Sequence, residues 1–184
     1  MMHRVLADVE AAFPFVDDCL VGSPTWEQHL LDVRAVLERL QAAGLVLNGE
    51  KCVFAAREVK FLGHHVTSSG VSPLPEKVEA VRRHPRPENV KQLQGFLGML
   101  NFYRRFVGGA AGLLRPLTDA LKGGPMPTAA LDWSAAMQQS FESAKAALAA
   151  AAELAHPQQG AELALMVDAS ADHMGAALQQ RSSP

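Results

Sequence analysis

The chain has 184 residues and a mass of 19.7 kDa, 48% hydrophobic and 20% charged, a balance that excludes a disordered tail and suffices for a packed core. A formal net charge of −2 and a pI near 6.4 exclude bulk attraction to a polyanion, so any nucleic-acid contact must come from a local cluster of Lys and Arg. Cys19 and Cys52 are too few for a disulfide framework or a metal knuckle, acids at Asp8 and Glu10 spoil a signal peptide, and no apolar run reaches membrane-spanning length; the expectation is a soluble protein of the cytoplasm or nucleus with small buried cysteines.

From the N-terminus, Phe13 to Val21 carry apolar positions on both sides of Asp17-Asp18 and stop at Gly22-Ser23-Pro24. This reads as a strand or hairpin with the two acids at or near its bend. Thr25 then offers a helix N-cap with Gln28 three residues on, and Leu30, Val33, Leu37 and Leu40 recur at heptad-like spacing before Gly44 closes the helix. Between Val46 and Leu74, Val53-Phe54, Val59 to Leu62 and His65-Val66 alternate with polar or Gly positions and a Ser68-Ser69-Gly70 turn, which predicts a short antiparallel sheet. His64 and His65, adjacent on a strand, point oppositely and are read as structural.

Pro75 opens a helix that Pro85 and Pro87 forbid beyond His84. Asn89 caps a second, to about Val107, with Leu93, Phe96, Leu97, Leu100 and Phe106 on its apolar side, and paired glycines bracket a third, Leu113 to Lys122. A further helix follows Trp133-Ser134 to about Ala152, favoured by its alanines. Leu163, Leu165 and Val167 then alternate into Asp168, and Gly175 to Gln180 reads as the returning strand of a hairpin. The fold class is α+β.

Phe15-Val16-Asp17-Asp18 resembles the polymerase signature of reverse transcriptases: an aromatic residue, any residue, then two aspartates on a palm hairpin. Ordered landmarks follow it, among them Leu45-Val46-Leu47-Asn48, Lys51-Cys52, Phe61-Leu62-Gly63-His64, Pro75-Glu76-Lys77-Val78, Phe96-Leu97-Gly98, Asn101-Phe102-Tyr103-Arg104-Arg105-Phe106, Pro116-Leu117-Thr118 and Asp168-Ala169-Ser170. In this order and spacing, covering nearly the whole chain, they resemble the Pol polyprotein of gypsy-class LTR retrotransposons.

The resemblance implies a partial palm hairpin and small sheet over 1–74, a helical thumb and connection over 75–125, and a linker helix with an incomplete RNase H-like start over 126–184. It makes Asp17, Asp18 and Asp168 inherited catalytic and Mg²⁺-binding positions. It also implies an RNA or DNA template-primer as partner, gripped by Tyr103, Arg104 and Arg105 on the thumb helix, with Lys91 joining that basic face; Arg and aromatic side chains suit phosphate contact and base stacking. A solvated helix face with Phe102 and Phe106 in the core at i, i+4 is the competing reading.

Two-metal phosphoryl transfer needs carboxylates around ions about 3.5–4 Å apart. In the family, the remaining palm aspartate, the nucleotide pocket and further RNase H acids lie outside the stretch matched here. The expectation is a truncated fragment with weak or vestigial Mg²⁺ sites and neither activity in isolation. Phe15 stands where the family has Tyr, and Pro14 removes a strand N–H. Unpartnered strands would leave edges open to association. The alternative is a host-retained nucleic-acid-binding protein that uses the basic helix.

Overall fold

The computed structural model describes residues 1–151, 153–156, 158, 160–169 and 174–180, with the backbone alone at 168, 169, 174 and 175. They form two units, Met1–Ala56 and Arg57–Pro184. The division falls earlier than the expected boundary at residue 74, because the small sheet is fastened to the helices that follow it.

The first unit runs α1 (Met2–Val5), β1 (Ala12–Phe15), β2 (Asp18–Val21) and α2 (Trp26–Ala42), then a single 3-10 turn, Gly49–Lys51. β1 and β2 pair antiparallel, with Phe15 opposite Asp18. Thr25 Oγ1 accepts from the Gln28 amide at 3.2 Å, satisfying one of the orphan N–H groups at the start of α2 as its position in the sequence predicts. Gly44, at φ +70°, ends the helix with its amide on the Gln41 carbonyl.

The core of this unit is Leu6, Val36 and Leu40, with Val5, Val9, Ala12, Cys19, Val21 and Leu45 packed around it. The expected apolar stripe is therefore corrected: Val36 and Leu40 are buried, whereas Leu30 and Leu37 are exposed. Only the C-terminal half of α2 meets the core, and there an i, i+4 pair on a helix of 3.6 residues per turn faces it. Cys19 is half-buried, which pushes its thiol pKa up. Val53 and Phe54, expected in a strand, lie in an exposed loop beside the 3-10 turn, which Asn48 caps by accepting from the Glu50 amide at 3.1 Å. Among the described residues no partner strand reaches them, and β-propensity without a partner makes no strand.

The second unit opens with β3 (Val59–Phe61), β4 (His64–Val66) and β5 (Gly70–Pro73), an antiparallel meander. Four helices follow: α3 (Pro75–Arg82), α4 (Val90–Phe102), α5 (Ala110–Asp119) and α6 (Ala135–Ala149). β6 (Leu154–Ala155) returns to pair with β5, and β7 (Leu163–Ala169) and β8 (Met174–Gln180) form a separate hairpin.

Local chemistry sets these helices where the sequence places them. Asn89 Oδ1 accepts from the Gln92 amide at 3.0 Å and Ser134 Oγ from the Met137 amide at 3.2 Å, while Pro75 occupies the first turn of α3, where a missing N–H costs nothing. Two boundaries move. α4 stops at Phe102, and Arg104–Phe106 form one 3-10 turn in place of the expected continuation to Val107. α5 begins at Ala110, three residues before Leu113, because Gly109 takes the left-handed conformation at its N-cap.

The core joins all four helices: Val81 of α3, Leu93, Phe96, Leu97 and Leu100 of α4, Leu114 and Leu117 of α5, and Met137, Phe141, Ala144 and Leu148 of α6. Phe96 and Phe141 meet with ring centroids 4.6 Å apart. Ser140 is buried among these apolar side chains, and its hydroxyl donates to the Leu113 carbonyl at 2.6 Å, tying α6 to α5. α6 is thus part of the helical body and not a linker, so no break appears at the expected boundary near residue 126. On β7 and β8, Leu163, Leu165, Met166, Val167 and Leu178 are all exposed, from alternating positions on both faces. No helix among the described residues is long and apolar enough to cross a membrane.

Candidate active-site hairpin and nucleic-acid interface

Since Phe15 pairs with Asp18, the β1–β2 loop contains only Val16 and Asp17. Two-residue hairpin loops take primed turns, which require positive φ and favour glycine or asparagine. Val16 supplies that conformation at φ +52°. For a β-branched residue this is a strained backbone, costing on the order of 1–3 kcal/mol, and it sits between the aromatic residue and the paired acids.

Alternation along β1 leaves Phe13 and Phe15 exposed and turns Ala12 and Pro14 inward, while cross-strand partners share a face. Asp18 therefore lies on the outer face with Phe15, its neighbour Cys19 packs against the core cluster, and Asp17 occupies the bend. Both aspartates are exposed. Pro14 is tolerated because β1 is an edge strand with a single partner.

Mg²⁺ takes six oxygens, of which one or two are carboxylates and the others water and substrate phosphate. Asp17 and Asp18 fit that use as part of a donor set. Among the described residues no group of three or more His, Cys, Asp or Glu is placed to hold a metal ion. Asp168 has its backbone in β7 opposite Gly175, as the alternation predicts, while Ser170 and Asp172 lie outside the described residues.

The basic cluster is redistributed. Tyr103, expected to stack on bases, is buried at 4% exposure, and its hydroxyl donates to the Gly63 carbonyl at 2.8 Å. Its ring packs edge-on against His64 and Phe102, at 5.6 and 4.8 Å. The residue caps α4 and is committed to the fold by this hydrogen bond and these ring contacts. Arg104 and Arg105 do face solvent, on the 3-10 turn, with the Arg105 guanidinium 5.0 Å from the Phe106 ring centre. Lys91 is exposed in the first turn of α4. At 1.5 Å per residue it stands roughly 20 Å from the arginines, so the three cations do not make one patch.

Sequence reasoning missed the turn that Tyr103 grips. Leu62 and Gly63, both at positive φ, form the two-residue loop between β3 and β4. A Cβ at Gly63 would lie 3.0 Å from two atoms of the Phe102 ring. The signal was present as a Leu-Gly pair between two short alternating runs, the pattern of a tight hairpin.

His64, next along, lies face to face with Phe102 at 5.1 Å and tilts against Phe106 at 5.7 Å. Its Nδ1 sits 2.8 Å from the Leu62 carbonyl, and its buried Nε2 has no hydrogen-bond partner among the described residues. Burial, then the neighbouring Arg105 charge, holds its pKa below the ordinary histidine value. A histidine depressed in the folded state contributes stability above its unfolded pKa, and that contribution is lost as pH falls through the folded value. The chain is therefore expected to lose stability between pH 7 and pH 5, and His64→Gln to lose less; equal losses in paired urea titrations would contradict this.

The reverse transcriptase (RNA-dependent DNA polymerase) family profile matches residues 1–66, and that of the RNase H-like domain found in reverse transcriptase matches residues 133–184. The Tf2-3 transposon polyprotein of Schizosaccharomyces pombe is 32% identical over 167 residues, which is 91% of this chain and 12% of the polyprotein. The chain is kin to the segment of retrotransposon polyproteins that carries reverse transcriptase and RNase H-like sequence. Tf2-7 of the same yeast is 32% identical over 182 residues, 98% of this chain and 13% of that polyprotein, so the chain spans about an eighth of these relatives' length. The foamy viral protease-reverse transcriptase solved with double-stranded DNA shares the fold, at a TM-score of 0.81 and 24% identity over 97% of this chain and 31% of that one. The same viral enzyme solved with an RNA/DNA hybrid gives a TM-score of 0.78 and 25% identity over 91% of this chain and 23% of that one.

Proposed function

We propose that this retrotransposon reverse transcriptase segment takes part in RNA-directed DNA synthesis, with Asp17 and Asp18 presenting carboxylates to catalytic Mg²⁺ and Arg104 and Arg105 holding the phosphates of a template-primer. The single observation that carries this is the position of the paired acids, on a strained two-residue hairpin bend within the stretch matched to reverse transcriptase. When bound, the metal ions would stabilise the attacking and leaving oxygens of the phosphoryl transfer. The chain's own contribution is to hold Asp18 on the solvent face beside Phe15 and Asp17 at the bend. Asp168, in the RNase H-like stretch, is the corresponding carboxylate for strand degradation. That the viral reverse transcriptases of like fold were solved on double-stranded DNA and on an RNA/DNA hybrid supports a duplex as the ligand.

Two adjacent carboxylates do not complete a two-metal site, and among the described residues no third acid joins Asp17 and Asp18. The 184-residue chain given Mg²⁺ and a primed template is accordingly expected to show no extension. Synthesis that disappears in Asp17→Asn would overturn this.

Duplex binding tests the interface separately. Arg104→Ala with Arg105→Ala is expected to weaken an RNA/DNA hybrid about tenfold to a hundredfold at low salt and to lower the salt-dependence slope by roughly 2, one phosphate contact per arginine. Tyr103→Phe should leave binding unchanged, because the ring is buried. An unchanged slope in the double variant would remove the arginines from the interface.

A further inference from the structure

Strand β6 has only two residues, Leu154 and Ala155, paired with Val71 and Gly70 of β5. Strands of globular proteins run about 5–6 residues, and a two-residue ladder is too short to hold itself. Nor is it anchored by apolar burial, since Glu153, Leu154, Ala155 and His156 are all exposed. What holds it is a set of polar contacts on the β4–β5 turn. The Glu153 carboxylate accepts from Thr67 Oγ1 at 2.7 Å and from Ser69 Oγ at 3.0 Å, and His156 Nε2 lies 2.7 Å from the Thr67 carbonyl.

The sheet is also shaped for this strand. A Cβ at Gly70 would sit 2.2 Å from the Leu154 carbonyl oxygen, so glycine alone admits the approach. Each of these contacts joins residues 84 to 89 apart in the sequence. Hydrogen bonds in exposed positions, with few buried apolar contacts behind them, mark segments that open locally while the core stays folded.

We propose that Glu153–His156 is a releasable strap. Fastened, it docks the linker leading to the β7–β8 hairpin on the edge of the small sheet; released, it lets that hairpin swing and bares the β5 edge to another strand. The strap stands on contacts within the second unit and is independent of the polymerase reading. Its function is to set whether the RNase H-like end of the chain moves with the helical body or apart from it.

Hydrogen exchange of the whole chain, read by mass spectrometry, tests this together with a spin label on Leu178→Cys in a Cys19→Ser, Cys52→Ser background. Residues 153–156 are expected to exchange at least about a hundredfold faster than α4, as a sub-global opening requires. Glu153→Ala is expected to speed exchange at 70–73 and 153–156 about tenfold, the weight of a charge-assisted hydrogen bond discounted for exposure, and to raise label mobility, with α4 and α6 unchanged. Gly70→Ala should do the same with a larger effect, because backbone blocks its Cβ. Unchanged exchange or label mobility in both variants would overturn the strap, and so would equal acceleration of α4 and α6, which would make the segment part of the cooperative core.

Discussion

Phe96→Ala is expected to destabilise the second unit by about 3–5 kcal/mol, the usual cost of truncating a fully buried aromatic ring. Phe96 has no exposed surface, lies 4.6 Å from Phe141 and 5.3 Å from His84, and sits where α4 meets α6. The cavity has no side chain nearby with freedom to fill it: Leu93, Leu117 and Leu148 are themselves buried and packed. Against a total stability of roughly 5–15 kcal/mol for a domain, the loss should shift the urea midpoint strongly and leave a measurable unfolded fraction at 37 °C, about body temperature. Leu178→Ala, on the exposed hairpin, is the control and should change stability by less than about 0.5 kcal/mol. Far-UV circular dichroism during urea unfolding reads both; a Phe96→Ala shift no larger than the control's would mean that α4 and α6 do not share a core.

Gly63→Val should follow closely, at about 2–4 kcal/mol. Two costs combine: a β-branched residue forced to φ +76°, and a Cβ 3.0 Å from the Phe102 ring. Moving that ring also disturbs its stack on His64 and the Tyr103 hydroxyl on the Gly63 carbonyl. Gly63→Asn separates the two costs, since asparagine tolerates the left-handed region while carrying the same Cβ. The asparagine variant is expected to recover about half of the loss in the same urea experiment. Full recovery would assign the effect to backbone strain alone, and none would assign it to the contact with Phe102.

Legibility divided along physical lines. The caps at Thr25, Asn89 and Ser134 and the bend at Asp17 were readable because each depends on groups three or four residues apart, whose energies are present in the local sequence. Val16 was not readable as a strained residue: its side chain resists positive φ, and the hairpin register imposes it. Tyr103 shows the same limit from the other side. A tyrosine beside two arginines has the chemistry of a nucleic-acid contact, and only the arrival of the β3–β4 turn, 40 residues earlier in the chain, turns it into a structural bolt.

Near-neighbour patterns carried the capped helices, the bend at Asp17 and, through ordered landmarks, kinship with retrotransposon reverse transcriptases. Tertiary structure alone decided that Val36 and Leu40 are buried while Leu30 is not, that the small sheet belongs with the helices, and that Glu153 fastens a turn 86 residues before it. The reason is one of range: caps and tight turns are settled between near neighbours, whereas burial and strand partnership depend on which distant segments reach the same place.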